Sequence, residues 1–351
     1  MTGDLTTGVR RVLVVHNPVA AGDDPSTSDV LAQVALVEGA LSGITELGLP
    51  AARIAVGDGQ ALATLCAAAE VPGTVVFNLV ESPPGVPHLC PATTAALELA
   101  GLPFTGSPAA AIWLTTDKLA ARALLAAEGL PVAPGGRLDP AAPTVLDRVA
   151  PPWILKPACE DASIGLEGNP VCHTREEALA RAARLADRFP GQAVLAERYL
   201  PGRELNVSLL ADGLGGVEVL PVAEILFEDF PAEMPRVVGY EAKWLEDSFA
   251  CVHTVRSFLE DPLDAPLVER ARCLARRAWA VCGLAGYARI DLRLDEAGEP
   301  CILEVNANPC LTADAGFMAA AGRAGLTARD VVARILNAAA ALTPGSHRRQ
   351  L

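Results

Sequence analysis

The 351-residue sequence predicts an α/β protein of two or three domains, and three observations carry that prediction. The length exceeds what a single hydrophobic core usually organises. From Val12 to Leu79 apolar strand candidates alternate with alanine-rich helical stretches, the rhythm of a parallel sheet covered by helices. Beyond the turn Leu200-Pro201-Gly202, strand candidates predominate, and a long amphipathic helix leads into a hairpin near the C-terminus.

Val12–Val15 reads as a buried strand ending at His16-Asn17-Pro18. The polar stretch AGDDPSTSD follows, with Ser28 or Asp29 placed to cap a helix running to Leu47. Ala51–Val56, Gln60–Ala69 and Thr74–Leu79 continue the strand–helix–strand order. No GxGxxG follows any of these strands and no GxxxxGK[ST] occurs anywhere, so neither a dinucleotide fold nor a P-loop kinase is supported. Pro103–Pro108 (PFTGSP) breaks the pattern and marks a first domain boundary. An alanine-rich helix is expected over Thr116–Glu128, stopping at Gly129-Leu130-Pro131. Trp153–Pro157 is a short strand whose end carries Lys156, followed by the polar loop ACEDASIG. A helix over Thr174–Phe189 and a strand over Ala193–Glu197 come next. The loop region Phe227–Asp247 interrupts the later strands. The helix Pro262–Cys282 has its apolar positions at Leu267, Ala271, Leu274 and Ala278. Ala328–Ala341 is the last helix.

Hydrophobic residues make up 51% of the chain and charged residues 20%, a globular composition. The net charge of −14 argues against a general binder of nucleic acid or anionic membrane, although nucleotide can still sit in a locally basic cleft. Nine cysteines without a CxxC read as buried reduced thiols rather than a disulfide framework or zinc site. The five histidines form no HExxH pair. No apolar run reaches the ~20 residues of a membrane span, and the N-terminus lacks the apolar stretch of a signal peptide. A cytoplasmic protein is expected.

The chemistry concentrates in Tyr287–Asn308, where two alternating runs flank the turn-forming DEAGEP. Arg289, Asp291 and Arg293 fall on one face of the first run, with Ile290, Leu292 and Leu294 on the other. In the second run Ile302, Glu304 and Asn306 share a face opposite Leu303 and Val305. A hairpin symmetric about Ala297-Gly298 sets Asp291 across from Glu304 and Arg289 across from Asn306; a bulge would break that register. Two opposed carboxylates repel, and a divalent cation between them would turn the penalty into a site. Asp, Glu and Asn offer hard oxygen ligands, which suit Mg²⁺ shared with phosphates. The plainer reading is a hairpin whose polar face is merely wet. Lys156, beside a loop of small residues, reads either as a phosphate contact or as a solvated strand-edge lysine.

Arg289-Ile290-Asp291, then Leu303-Glu304-Val305-Asn306-Ala307-Asn308-Pro309, resembles the metal-binding end of ATP-grasp ligases, in particular the D-alanine–D-alanine ligase branch. The match runs in order and spacing from Val75 to Asn308, with the first lobe weakly matched. The resemblance implies an ATP-grasp fold in three domains: an N-terminal parallel α/β lobe over 1–106, a small central α+β lobe over 107–200, and a mainly antiparallel C-terminal lobe over 201–345. It implies ATP with Mg²⁺ or Mn²⁺, the metal held by Asp291, Glu304 and Asn306 and the phosphates by Lys118 and Lys156, beside Ser163 and Gly165 at the loop's end. The segment Glu197–Glu204 is similar to the family's hinge. By that likeness, backbone at Arg198 and Leu200 meets adenine, Glu197 takes its amino group and Glu204 the ribose hydroxyls. Without it these are ordinary surface carboxylates. Arg289 would stabilise the tetrahedral intermediate, unless it serves only a structural salt bridge. Lys243 and Ser163 would join it at the reacting centre, with Phe227–Asp247 closing over them. A homodimer and small amino-acid-like substrates are implied as well.

The departures all fall on the amino-acid side. The first serine of the family's G-S-S-V-G loop is Ala162, and the A-K-Y of its mobile loop is Ala242-Lys243-Trp244. The glycine after N-x-x-P is Cys310, the serine for the second substrate's carboxylate is Ala315, and no glutamate follows Val15 at the expected place. The expectation is an active carboxylate–amine ligase with substrates other than D-alanine. A true D-alanine–D-alanine ligase and a non-catalytic nucleotide-binding regulator are the alternatives.

Overall fold

The computed structural model describes residues 9–19, 25–44, 51–81, 86–213 and 215–341. The apolar runs RVLVVH and TVVFNL form β1 (Arg11–His16) and β3 (Thr74–Leu79), with β2 (Ala51–Ala55) outside β1 in a parallel sheet of order β2-β1-β3. Strands this apolar need cover on both faces. One face takes α2 (Gly59–Ala69) and α3 (Ala92–Ala100), whose Leu65 and Leu97 pack on Leu13, Val15 and Val76. The other takes α1 (Pro25–Ile44) and the chain's last helix, where Val34, Val37, Val331 and Ile335 meet Val12, Val14 and Phe77. α1 begins at Pro25, so Ser28 and Asp29 lie inside it rather than capping it. Proline suits a first helical position because that N–H has no intrahelical partner. The expected end at Leu47 falls outside the described residues.

The helix expected over Thr116–Glu128 is present over Lys118–Ala127, and a second helix, not expected, precedes it. Asp117 takes an extended conformation (φ −85°, ψ 98°) and its carboxylate accepts from the N–H groups of Leu119 and Ala120. This separates α4 (Ala109–Thr116) from α5 (Lys118–Ala127) and fixes Lys118 at a helix start. Next come β4 (Gly135–Leu138), α6 (Val145–Arg148), β5 (Trp153–Pro157), β6 (Val171–Cys172), α7 (Arg175–Arg188) and β7 (Val194–Arg198). The strands form an antiparallel sheet of order β4-β7-β5-β6. Thr174 and Glu177 close a capping box on α7.

The third sheet is antiparallel, in the order β11-β10-β8-β12-β13 with β9 beside β8. Its strands are β8 (Glu204–Ala211), β9 (Val217–Val219), β10 (Ala223–Phe227), β11 (Thr254–Phe258), β12 (Tyr287–Leu294) and β13 (Pro300–Asn306). Two short helices, α8 (Tyr240–Trp244) and α9 (Phe249–Val252), lie between β10 and β11. α10 (Ala265–Cys282) covers one face with Leu267, Ala271 and Ala278, joined by Ile112 of α4 and Leu125 of α5. α11 (Gly316–Arg323) and α12 (Ala328–Ala341) complete the chain.

The hairpin pairs Asp291 with Glu304 and Arg289 with Asn306, the expected partners, by a different route. At its tip Leu294 pairs with Pro300, one residue off the symmetric register, and a bulge at Leu303 restores it. The bulge also reverses the expected facing of Ile302, which joins Val305 in the core while Leu303 packs with Leu200 and Ala133.

A side chain at Gly135 would put its Cβ 2.5 Å from the Ala196 carbonyl oxygen and 2.6 Å from the Glu197 Cα. Because both are backbone, Gly135→Ala should cost about 1–3 kcal/mol, the usual range for overpacking. The check is a urea midpoint, and a wild-type value would show that β4 can move away from β7.

Candidate active site

The metal-candidate face of the hairpin is occupied by the protein's own charges. Arg289 donates to both oxygens of Asp291, at 2.7 and 2.8 Å, and the side-chain amides of Asn206 and Asn306 donate to the same carboxylate at 2.8 and 3.0 Å. Glu304 lies 3.0 Å from the Lys118 ammonium. The expected mutual repulsion of Asp291 and Glu304 is therefore offset by a separate cation for each. Burial works against the charged form of Glu304, but Lys118 and Lys156 outweigh it and hold its carboxyl well below the usual range. Burial likewise opposes the Arg289 charge, and Asp291 more than compensates. Among the described residues no three His, Cys, Asp or Glu side chains gather as a metal cage. Two carboxylates and an amide oxygen fit a cation that completes its shell with phosphate oxygens.

Lys118 is buried and bridges the sheets: besides Glu304 it meets Asp161 at 3.0 Å and donates to the Glu160 carbonyl. Burial raises the Asp161 carboxyl, and Glu304 adds to that while Lys118 opposes it. Lys156 pairs with Glu197 at 2.7 Å, across neighbouring strands β5 and β7. The loop after β5 turns back sharply. Ala162 and Ser163 have φ of 56° and 65°, a left-handed pair unusual for residues with side chains. A Cβ on Gly165 would lie 2.5 Å from the Pro157 ring, so only glycine lets the loop fold against β5. Arg181 of α7, which sequence reasoning missed, holds that fold by donating to the carbonyls of Leu155, Gly165 and Asn169.

At the hinge, the Arg198 N–H is used by the Pro134 carbonyl at 2.7 Å. No acceptor for the Leu200 N–H is present among the described residues. Glu204 is buried and accepts from Arg293 at 2.9 Å; burial pushes its carboxyl up and Arg293 pulls it back. Arg293 also lies over the Tyr199 ring at 5.1 Å. Its place on the Arg289 face was legible, but not its partnership with Glu204, 89 residues away.

Two contacts fasten the segment containing α8 to the phosphate loop. The Trp244 indole donates to the Ala162 carbonyl at 2.9 Å and the Ser163 hydroxyl donates to the Val238 carbonyl at 2.7 Å. Lys243 lies over the Trp244 ring at 5.0 Å and acts electrostatically on Asp29 and Glu81. Glu81, just beyond β3, is the second residue sequence reasoning missed. The residue is exposed, yet the protein around its carboxyl raises it while Lys243 opposes. Gln33 donates to it at 3.4 Å and accepts from Leu311 N–H at 3.0 Å, tying α1 to the segment before α11.

A parallel lobe beside two antiparallel sheets, with the Lys118 ammonium meeting Glu304 of the C-terminal sheet, belongs to an ATP-grasp enzyme that forms carbon–nitrogen bonds. The family described as "D-ala D-ala ligase C-terminus" matches residues 137–337, and the chain belongs to the D-alanine–D-alanine ligase family. It is 34% identical over 284 residues to a D-alanine–D-alanine ligase of Gluconobacter oxydans, covering 80% of this chain and 85% of that one. It is 33% identical over 265 residues to y4sG, an uncharacterized protein of Sinorhizobium fredii, covering 76% and 74%. The fold is similar to that of a D-alanine–D-alanine ligase from Bacillus anthracis crystallised with ATP (TM-score 0.72, 18% identity, 95% of this chain and 98% of that one).

Trp244→Phe removes the indole donor and leaves the Ala162 carbonyl without that partner. A lost hydrogen bond of about 1 kcal/mol corresponds to hydrogen exchange over 238–244 faster by on the order of fivefold. Unchanged exchange would rule out the latch.

Proposed function

We propose that this ligase activates an amino acid or related carboxylate as an acyl phosphate and joins it to an amine, releasing ADP and phosphate, with D-alanine not its preferred donor. The observation that carries this is the contrast within one site. The groups suited to ATP and metal are complete and brought together, while the contacts expected around the amino acid are rebuilt. The carbonyl–indole bond between Ala162 and Trp244 stands where the family has side-chain hydroxyls.

ATP would supply the phosphoryl group, and Mg²⁺ or Mn²⁺ held by Asp291, Glu304 and Asn306 would neutralise charge among its phosphates. Lys118 and Lys156 are the phosphate-binding cations, and each now rests on a carboxylate it can exchange for an anion. Glu197, the backbone of Arg198 and Leu200, and Glu204 would receive adenine and ribose, with Gly165 and Ser163 shaping the phosphate loop. Arg289 is directed by Asp291 toward charge developing on the reacting carbonyl. Lys243 and the segment around it shut water out. Glu81 and Asp29 offer carboxylates for a substrate ammonium, in place of the glutamate missing after Val15. The division into 1–106, 107–200 and 201–345, pairing into a homodimer and a cytoplasmic location belong to the same proposal. Among the described residues no helix is long and apolar enough to cross a membrane.

The second reading, a D-alanine–D-alanine ligase with rearranged contacts, is favoured by similarity to relatives such as the D-alanine–D-alanine ligase of Gluconobacter oxydans. A screen of ADP release against pooled D- and L-amino acids separates the two. The product should be ADP and phosphate; AMP and pyrophosphate would overturn the acyl-phosphate mechanism.

Glu304→Gln and Asp291→Asn should each abolish turnover. Each also strips a partially buried cation of its partner, so melting temperature in metal-free buffer should fall. Near-normal activity with Mg²⁺-ATP in either variant would sink the metal assignment.

D-alanine should be a poor donor, because the Ala162 side chain offers no hydrogen bond and Trp244 offers only a donor. Each missing contact to a buried charged group costs ~1–3 kcal/mol, on the order of 10- to 100-fold in kcat/KM. Efficient D-alanyl-D-alanine synthesis at sub-millimolar D-alanine would decide for the second reading.

A further inference from the structure

Arg293 stands on β12 directly across from Glu204 on β8. An ordinary cross-strand ion pair would account for that much. The rest of the side chain is harder to explain as a brace. It is only 4% exposed, where a guanidinium is costly to place and each of its donors needs an acceptor. Nη1 donates to Glu204 at 2.9 Å, while Nη2 donates to the Arg236 carbonyl and, at 3.3 Å, to the Tyr199 hydroxyl. The Nε–H is buried and meets no acceptor among the described residues, so the charge is not fully satisfied where it stands. The guanidinium also lies over two rings, Tyr199 at 5.1 Å and Phe227 at 5.7 Å. These partners come from three separate parts of the candidate site. Tyr199 belongs to the hinge, and Glu204 is the carboxylate expected to meet the ribose. Phe227 and Arg236 belong to the stretch Phe227–Asp247 that carries Lys243 and Trp244. The Tyr199 hydroxyl reaches the Arg236 carbonyl as well, at 3.5 Å, so this one backbone oxygen is held from both the hinge and β12. Burial pushes the Glu204 carboxyl up, and Arg293 is the strongest influence opposing it.

We propose that Arg293 is a positioning residue that couples recognition of the nucleotide's ribose to closure of the segment Phe227–Asp247. One arm of the guanidinium aims Glu204 at the ribose hydroxyls, and the other anchors the segment through the Arg236 carbonyl. Because the guanidinium is rigid and planar, a Glu204 fixed by two hydroxyls fixes the other arm too. The constraint then passes to the backbone at Arg236, four residues before α8 begins. A lysine, which is a point charge without a fork, can serve Glu204 but not both partners at once.

This inference rests on the ligase reading and its placing of the ribose at Glu204, and nucleotide binding tests it without turnover. With Mg²⁺ present and no carboxylate donor, affinities for ATP, 2′-deoxyATP and 3′-deoxyATP are measured by calorimetry. Hydrogen exchange over Phe227–Asp247 is followed in each complex. The wild-type protein should bind ATP on the order of 10- to 100-fold more tightly than either deoxy analogue, the worth of a hydrogen bond to a charged group. ATP should also slow exchange over the segment on the order of tenfold more than the analogues do. In Arg293→Met both differences should disappear, while the triphosphate contacts keep all three nucleotides bound. Arg293→Lys leaves a cation beside Glu204 and so guards against loss of the fold; it should keep the ribose preference and lose the extra protection. Equal weakening of all three nucleotides in Arg293→Met, with the preference intact, would reduce Arg293 to a structural brace and overturn the coupling. So would a wild-type protein that binds the three nucleotides alike, or a lysine variant that retains both differences. Failure of every nucleotide to bind would overturn the ligase reading, and this inference with it.

Discussion

The Lys118 ammonium is the point on which the site's geometry turns. It is a buried cation shared by Asp161 of the phosphate loop and Glu304 of the metal-candidate strand. Removing either carboxylate leaves the ammonium under-neutralised in a place where desolvation is costly. It is delivered there by Asp117, whose capping carboxylate starts a new helix one residue earlier. A local turn thus sets how the central and C-terminal sheets approach one another. The same ammonium keeps two acidic groups compatible. On the proposed reading, stability of the free protein and affinity for nucleotide would draw on the same charge.

Much of the fold was legible because it depends on local patterns. The capping box at Thr174, the apolar stripe of α10 and the two faces of β12 all follow from periodicity and end signals. The helix before Asp117, α4, was not read because it follows a proline-rich break, and alanine-rich composition on both sides of Asp117 says nothing of where one helix ends and the next begins. The hairpin is more instructive. Asp291 faces Glu304 because an off-register tip and a bulge at Leu303 cancel, and the misplaced Ile302 shows that the pattern alone had not captured the geometry. The unread parts of the site are contacts between distant segments: Arg293 with Glu204, Arg181 with the phosphate loop, Glu81 with Gln33. Each joins residues well apart in sequence, and only folding gives them a common neighbourhood.

Ala162 and Trp244 illustrate how two departures from a family pattern make sense together. Loss of a hydroxyl from the loop removes a side-chain partner for the lid, and an indole reaches the loop carbonyl instead. The carbonyl is presented by backbone in the left-handed region at Ala162 and Ser163, a conformation that costs of order 1–3 kcal/mol per residue and needs outside support. The segment around α8 supplies that support through Trp244 and the Val238 carbonyl. Changing Trp244 alone toward the family pattern would remove the donor to the Ala162 carbonyl, whereas that carbonyl is backbone and survives any side chain at 162.

The sheet made first is finished last. Val12, Val14 and Phe77 are covered by Val331, Val332 and Ile335, from the final helix of the described chain. During synthesis the N-terminal strands emerge long before that helix exists, so one apolar face of the sheet has only α1 to cover it while the rest of the chain is being made. A chaperone or a transient local cover must bridge that interval. A premature stop before α12 would unclothe the opposite end of the polypeptide and leave the ATP-side residues, all encoded upstream, within a protein unable to close its first core.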